Sequence, residues 1–143
     1  IFDFIKLLKQ MNNSAKLSIA GDARNFKLDD SNINLLGYIS DPSSLIKTYD
    51  SCNITILPSY TEGYPYVIDE SLARGRPVII FEEISYVLNN KKGIFITKRD
   101  VASLSEVTKY ILNNYGKIQD EILQNSLPTK KSMLKQISDI INI

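Results

Sequence analysis

Two glutamates separated by seven residues are the side chains of this chain best suited to ligand chemistry. Glu62 stands in a loop just after an apolar stretch that ends at Leu57, and Glu70 stands one to two turns into the helix predicted next. A helix N-terminus behind a tight loop directs unpaired N–H groups and the positive end of the helix dipole at one spot, which favours an anion. Two carboxylates beside that spot suit a ligand that carries both phosphates and hydroxyls.

Alternating apolar strands and amphipathic helices surround this pair of glutamates. Strands joined by helices imply right-handed crossovers and a parallel sheet covered on both faces, so the sequence predicts a doubly wound, Rossmann-like α/β domain. Predicted strands cover 16–20, 33–39, 53–57, 77–81 and 93–97. An opening helix carries the apolar residues Ile1, Phe4, Ile5, Leu7, Leu8 and Met11, and a second helix starts at Asp41-Pro42 and runs through Tyr49. The remaining predicted helices cover 66–74, 102–115 with a break near Gly116, and 130–141.

The loops that follow the strands define where a ligand is expected. Ligands of open parallel sheets bind at the carboxyl ends of the strands. The loops at that edge are Gly21-Asp22, 38–41, 59–66 and 82–85. The loop that carries Glu62 is therefore predicted to lie on the functional edge of the sheet.

Composition and charge exclude several classes of function. The 143 residues fit one domain with its own core, and 17 Lys and Arg against 16 Asp and Glu do not favour a nucleic-acid partner. Apolar runs such as 77–81 have the length of strands and are too short to span a bilayer.

The chain has no histidine, the commonest general base and metal ligand. The single cysteine, Cys52, fits a reducing compartment, so we expect a cytoplasmic protein.

Three stretches of the chain resemble, in order, the nucleotide-binding half of retaining GT-B glycosyltransferases of the glycogen-synthase-like family four (group 1). They are Leu17–Asp22, the segment Leu-Gly-Tyr-Ile-Ser-Asp-Pro at 36–42, and the Glu-x7-Glu motif from Glu62 to Glu70 with its continuation to Ile79. A bare pair of glutamates at this spacing is common, but the flanking Leu-Pro-Ser and Gly-Arg-Pro-Val-Ile make the pattern specific. The resemblance covers roughly residues 1 to 124.

The resemblance implies roles for the residues of the loop. Glu62 is expected to be the catalytic-site glutamate that contacts the donor sugar hydroxyls near the reacting carbon. Gly63, Tyr64 and Pro65 are expected to lay their backbone against the sugar and the phosphates. Glycine at 63 permits close approach of the backbone, whereas a side chain there would hold the ligand away.

It also implies roles for the helix and for one further loop. Tyr66 and Val67 are expected to supply the amides that receive the diphosphate, which helix amides can stabilise without a metal as it departs. Glu70 is expected to accept hydrogen bonds from the ribose, since a carboxylate can accept two from a vicinal diol. Tyr38 and Ile39 are expected beside the nucleobase.

The implied function is transfer of a sugar from a UDP- or GDP-sugar to an acceptor hydroxyl with retention, in synthesis of a cell-surface polysaccharide or other glycan. The implied fold is the C-terminal half of a GT-B protein, and no metal or cofactor is expected. Since the chain begins with Ile1, we interpret it as a fragment that lacks the family's first strand with its basic loop and the N-terminal acceptor domain, and that is inactive alone. The alternative is a non-catalytic sugar-nucleotide-binding or interaction module on the same fold.

Several residues also have plainer interpretations. Glu82–Ser85 stands where many relatives have paired glycines, which leaves the donor contacts there open. Asp69 is expected to be structural, and Lys91 and Lys92 are expected in a solvated turn. Tyr60 is as well suited to covering the cleft as to stacking on a ligand. Arg74 and Arg76 lie at the far end of the helix from the site, which favours roles outside it.

The last segment, 125–143, carries a basic amphipathic helix. Apolar residues at 133, 134, 137, 140 and 141 alternate with lysines at 130, 131 and 135. Such a helix can lie on a membrane, which would place the full-length protein peripherally on the inner face of the plasma membrane. We favour the plainer interpretation, in which the helix packs on this domain or crosses back to the other one.

Overall fold

The structure is a computed structural model that describes residues 7, 10, 15–22, 30–88 and 90–141. The predicted opening helix lies outside the described residues except for Leu7 and Gln10, which are helical. Leu7 is buried and belongs to the hydrophobic core.

The described elements alternate between strand and helix as the sequence predicts. The strands are β1 (Leu17–Ala20), β2 (Ile33–Gly37), β3 (Thr55–Leu57), β4 (Val78–Phe81) and β5 (Ile94–Thr97). The helices are α1 (Pro42–Asp50), α2 (Tyr66–Ala73), α3 (Val101–Asn113), α4 (Tyr115–Ile122) and α5 (Lys130–Ile141), with a 3-10 helix at Glu82–Val87 between β4 and β5.

All described strand pairs are parallel, which confirms the predicted α/β class. β1 pairs with β2, and β3, β4 and β5 pair in that order, so the strands form two groups.

The core is built around β4. All four residues of Val78–Phe81 are at most 3% exposed, because this central strand is covered on both faces. Helix residues close over it from α2, α3 and α4. The buried apolar residues that form this cover are Ile68, Leu72, Leu104, Ile111, Ile118 and Ile122.

Helix ends follow local sequence signals in most places. Asp41 and Asp100 cap α1 and α3 by accepting hydrogen bonds from the backbone N–H groups of Ser44 and Ser103, at 2.7 and 2.8 Å. Hydrogen bonds from the side chain and then the backbone of Ser44 lower the pKa of Asp41, and those from the backbone and then the side chain of Ser103 lower the pKa of Asp100. Gly75 has φ +65° just past α2, as the predicted C′ residue should.

The largest local differences from prediction lie after β4 and after Tyr110. The 3-10 helix at Glu82–Val87 is not predicted by the sequence pattern. The break between α3 and α4 falls at Asn114, two residues before the predicted Gly116. The Asn114 side chain donates to the carbonyl of Tyr110 at 2.8 Å, and such local bonding competes with the helix ladder.

The last helix forms where it is predicted, at Lys130–Ile141, yet all twelve of its residues are exposed. It therefore does not pack on the described part of this domain. The connection before it does, because Asn125 exchanges two hydrogen bonds with the backbone of Lys92, at 2.8 and 2.9 Å, and Leu127 packs on the core. Within the described residues, no helix is long and apolar enough to cross a membrane.

Candidate functional site

The junction between β3 and α2 forms the centre of the site. β3 ends at Leu57, a loop follows, and α2 begins at Tyr66 with Pro65 at its N-cap. No side chain caps this N-terminus, in contrast to α1 and α3. The amide of Ile68 donates to the carbonyl of Pro65 at 3.0 Å. The amides of Tyr66 and Val67 come before it and, among the described residues, no side chain caps them, so they are available to an anion.

Glu62 is held in this loop from two directions. The Ser59 hydroxyl donates a hydrogen bond to Glu62 Oε1. The Tyr86 hydroxyl lies 2.9 Å from both the backbone N–H and the backbone carbonyl oxygen of Glu62, accepting from the first and donating to the second. Both the side chain and the backbone of the predicted catalytic-site residue are therefore fixed.

Arg99, just after β5, holds the first half of the same loop. Its guanidinium donates to the carbonyl of Pro58 at 3.0 Å and to that of Ser59. It also stacks between two rings, 3.8 Å from the centroid of Tyr60 and 4.1 Å from that of Phe81. The guanidinium group is planar and has five N–H donors, so it can donate to two carbonyls while its faces stack on aromatic rings.

Glu83 binds the remaining edge of Arg99. Arg99 Nε lies 2.8 Å from Glu83 Oε1. A hydrogen bond from its own backbone amide, and then Arg99, lower the pKa of Glu83. The acidic segment that stands in place of the glycines of many relatives thus pairs with a basic residue of this chain.

A second network stands at the start of α2. The Tyr64 hydroxyl donates to Asp69 Oδ2 at 2.6 Å, and Lys91 forms an ion pair with Asp69 Oδ1. The side chains of Lys91 and Asp69 are only 14% and 12% exposed. The expectation that Lys91 lies in a solvated turn is therefore wrong, because Asp69 draws it against the helix.

Glu70 is exposed on α2, and its carboxylate has one partner from α1. The hydroxyl of the buried Tyr49 donates to Glu70 Oε2 at 2.9 Å. Close by, Arg74 binds Asp50 in a bidentate ion pair at 2.8 and 2.7 Å, so α1 and α2 are tied at two adjacent points.

Tyr38 and Ile39 lie directly after β2, at the carboxyl ends of the strands. Tyr38 is 87% exposed and Ile39 is half-buried. An exposed aromatic ring on this edge is free to stack on a planar ligand group. Tyr66 is also largely exposed, whereas Val67 is half-buried and packs against the core.

An open hollow of about 260 Å³ adjoins the loop. Three of the predicted residues, Gly63, Tyr64 and Pro65, line it together with Tyr86 and Lys91. Glu62 and Glu70 do not line this hollow. A β-carbon built on Gly63 would meet no heavy atom within 4 Å, so the space beside its backbone is open.

The sequence pattern predicts the glutamates but not the residues that hold them. Tyr49, Tyr86 and Arg99 reach the site across 21 to 41 positions of sequence. The only sequence signal available for Tyr49 is its place at the end of an amphipathic helix. Among the described residues there is no group of three or more Cys, Asp or Glu side chains that could hold a metal, and the expectation of metal-free chemistry stays a prediction.

A family comparison identifies the chain. The model for "Glycosyl transferases group 1" matches residues 1–114. This chain belongs to the group 1 glycosyl transferases. The predicted resemblance is thereby confirmed, and the chain has the fold of the C-terminal, nucleotide-sugar-binding half of GT-B glycosyltransferases.

Two bacterial sugar transferases are similar to part of this chain. It is 28% identical over 92 residues to the capsular polysaccharide biosynthesis glycosyltransferase CapM of Staphylococcus aureus. It is 24% identical over 86 residues to the N,N'-diacetylbacillosaminyl-diphospho-undecaprenol alpha-1,3-N-acetylgalactosaminyltransferase of Campylobacter jejuni. The matches cover 62% and 58% of this chain and 23% of each relative, so the chain spans about a quarter of their length.

Two solved structures share the fold of this domain. Anabaena HepE in complex with UDP aligns with 99% of this chain at a TM-score of 0.77 and 15% identity, over 44% of its own length. The complex of HepE with UDP-glucose aligns with 85% of this chain and 37% of HepE, at a TM-score of 0.65 and 18% identity.

Proposed function

We propose that this chain is the donor-binding half of a retaining glycosyltransferase, which transfers a sugar from a nucleoside-diphosphate sugar to an acceptor hydroxyl. A partner domain of the full-length protein brings the acceptor. The observation that carries the proposal is the uncapped N-terminus of α2 with Glu62 before it and Glu70 on its second turn, all following β3 at the ligand-binding edge of the sheet.

The chemistry divides among these groups. The amides of Tyr66 and Val67 bind the diphosphate and stabilise the negative charge that grows on it as the glycosidic bond breaks. Glu62 binds the hydroxyls of the donor sugar near the reacting carbon. Glu70 binds the ribose diol, and the backbone of Gly63 lies against the sugar because no side chain stands in the way.

The hollow lined by Gly63, Tyr64 and Pro65 is the place we assign to part of the donor. Its lining includes the hydroxyl-bearing ring of Tyr86 and the cation of Lys91. Tyr38 and Ile39, after β2, are assigned to the nucleobase. No metal is required in this scheme, because helix amides supply the positive potential.

Uridine is the base to test first. HepE, which shares this fold, has been crystallised with UDP and with UDP-glucose. The name of CapM supports a capsule-like or other cell-surface polysaccharide as the product. The donor we propose is a UDP- or GDP-sugar.

A titration followed by NMR tests the proposal. Amide resonances of the chain are recorded with UDP, GDP and ADP, in wild type and in Glu70→Ala. We expect selective shifts at 62–70 and at Tyr38 and Ile39 with one nucleotide, and their loss in the variant. Glu106→Ala, which removes an exposed carboxylate from α3, is the matched control and should bind as wild type does.

Two outcomes would contradict the proposal in different ways. If neither the folded chain nor the full-length protein binds any of the nucleotides, a donor site is ruled out. Binding of a sugar nucleotide by the full-length protein without any sugar transfer would favour the non-catalytic module instead.

A further inference from the structure

Tyr49 is a buried side chain whose only described polar contact is a carboxylate of the proposed site. Its ring is 9% exposed, and its hydroxyl donates to Glu70 Oε2 at 2.9 Å. Glu70 itself is exposed on α2, so the hydrogen bond links the buried end of α1 to the edge where the ligand is proposed.

A second contact ties α1 to α2 beside this hydrogen bond. Asp50, the next residue of α1, forms a bidentate ion pair with Arg74, one helical turn after Glu70. The two contacts lie on adjacent turns, so α1 and α2 are joined at the point where Tyr49 meets Glu70.

Tyr49 remains a donor throughout the pH range in which the protein would work. Burial, and then the hydrogen bond to Glu70, raise the pKa of the Tyr49 hydroxyl well above its ordinary value. A protonated phenol that donates to Oε2 occupies one acceptor position of that oxygen. Glu70 Oε1 accepts no hydrogen bond from the residues that the structure describes, so it is left for a ligand hydroxyl.

We propose that Tyr49 is a positioning residue that aims Glu70 at the ribose diol and thereby sets the preference of the site for ribonucleotides. The inference rests on the proposed function, in which Glu70 binds ribose. A hydrogen bond that served only to satisfy a buried hydroxyl would affect folding and leave that preference unchanged.

The test compares UDP with 2′,3′-dideoxy-UDP, which lacks the diol. Dissociation constants for both are measured by NMR titration of wild type, Tyr49→Phe and Glu70→Gln. We expect wild type to prefer UDP by about tenfold, and Tyr49→Phe to lose most of that preference while binding of the dideoxynucleotide stays within about twofold. In the Glu70→Gln background, Tyr49→Phe should change neither constant further.

Tyr115→Phe is the matched control. The Tyr115 hydroxyl donates to the carbonyl of Asn53 at 2.8 Å and accepts from Arg76, away from the proposed site. Its removal should lower the unfolding midpoint and leave the ratio of the two constants unchanged. The same pattern in Tyr49→Phe, lower stability with an intact ratio, would overturn the positioning role.

If Tyr49→Phe does not fold, an NMR measurement on the wild-type chain tests the same inference. With tyrosine labelled at Cζ, the Tyr49 carbon should shift on saturation with UDP and not on saturation with the dideoxynucleotide. Equal shifts with both ligands would overturn the inference. If wild type binds UDP without preferring it over the dideoxynucleotide, Glu70 does not bind the ribose diol, and both this inference and the assigned role of Glu70 fail. If GDP or ADP binds in place of UDP, the same comparison is made with that nucleotide and its dideoxy form; if none of the three binds, the proposed function fails first.

Discussion

Single side chains from distant parts of the sequence hold the Glu62 loop. Arg99 binds the carbonyls at the start of the loop, and the Tyr86 hydroxyl bonds both backbone groups of Glu62. These contacts restrict the loop before any ligand arrives. Restricting a binding loop in advance reduces the entropy that binding would otherwise cost.

Replacing Arg99 with lysine tests this restriction. Lysine cannot bond two carbonyls in a planar fork while stacking between Tyr60 and Phe81, so we expect a loss of about 1–2 kcal/mol in the free energy of unfolding. Nucleotide affinity should fall as well. The measurement is urea unfolding together with UDP titration. Arg74→Lys, in an exposed pair with Asp50, should cost clearly less than Arg99→Lys, and an equal cost in the two variants would contradict the role of Arg99.

The Tyr64–Asp69 hydrogen bond predicts a pH dependence at the alkaline end. The bond to Asp69, and then desolvation, raise the pKa of Tyr64 from an ordinary 10 to about 12. Because the folded state holds this proton more tightly, the resulting stability is fully present below pH 10 and is lost as the pH rises to 12. Asp69→Asn should lower the pKa of Tyr64 toward its ordinary value.

A titration of Tyr64 followed at Cζ by NMR checks this expectation. Asp139→Asn, an exposed change on α5, is the control and should leave the titration unchanged. An unaltered Tyr64 titration in Asp69→Asn would show that the hydrogen bond is not the cause.

A sequence motif identifies site residues that are close to each other along the chain. It does not identify residues that are distant in sequence and reach the site only in the folded domain. Glu62, Gly63 and Glu70 stand within nine positions of each other, so spacing alone suggests one site. Tyr49 and Arg99 contact the site only because α1 packs beside α2 and because β5 ends near β3. No local pattern encodes either of those contacts.

At the scale of elements, periodicity and capping predict most of the strands and helices. Asp41-Pro42 and Gly75 mark helix ends where the structure has them. The 3-10 helix at Glu82–Val87 has no such signal, because six residues are too few for a hydrophobic period to be recognised. The break at Asn114 depends on competition between a side chain and the helix ladder, which composition alone leaves undecided.

Replacing glycine with alanine should affect the free energy of unfolding strongly at one position and only slightly at another. Gly93, before β5, has φ +86°, and an added β-carbon would lie 2.3 Å from Ile122 Cγ1. Gly93→Ala should therefore lower the free energy of unfolding by about 2–4 kcal/mol, from overpacking and left-handed strain. Gly63 is open and has no positive φ, so Gly63→Ala should change stability by less than about 1 kcal/mol.

Urea unfolding measures both variants, and titration with UDP-glucose separates them further. Gly63→Ala should bind the sugar nucleotide more weakly despite its normal stability, because the methyl group stands where the ligand is proposed. Unchanged affinity in Gly63→Ala would argue against close approach of the ligand at this position.

At the scale of the whole molecule, stability is concentrated around β4. Ile79 is fully buried in the centre of the parallel group. Ile79→Ala should lower the free energy of unfolding by about 2–5 kcal/mol, the range for truncating a buried aliphatic side chain. Ile137→Ala, on the exposed α5, should stay within about 0.5 kcal/mol of wild type. Comparable losses in the two variants would mean that α5 is part of the cooperative core.

The parallel α/β class follows from the sequence, because alternating elements leave few other arrangements. The division of the strands into two paired groups does not follow, since strand order depends on pairings between distant segments. Burial is more predictable, because the continuous apolar run at 77–81 contains β4, whose four residues are all buried.

The exposure of α5 has a consequence for amide hydrogen exchange. An isolated helix of about a dozen residues is only marginally stable in water. Since no residue of Lys130–Ile141 is buried, its amides should exchange at nearly the rate of a free peptide, whereas those of Val78–Phe81 should exchange only when the whole domain unfolds. Slower exchange in α5 than in a free peptide would show that another surface covers its apolar face.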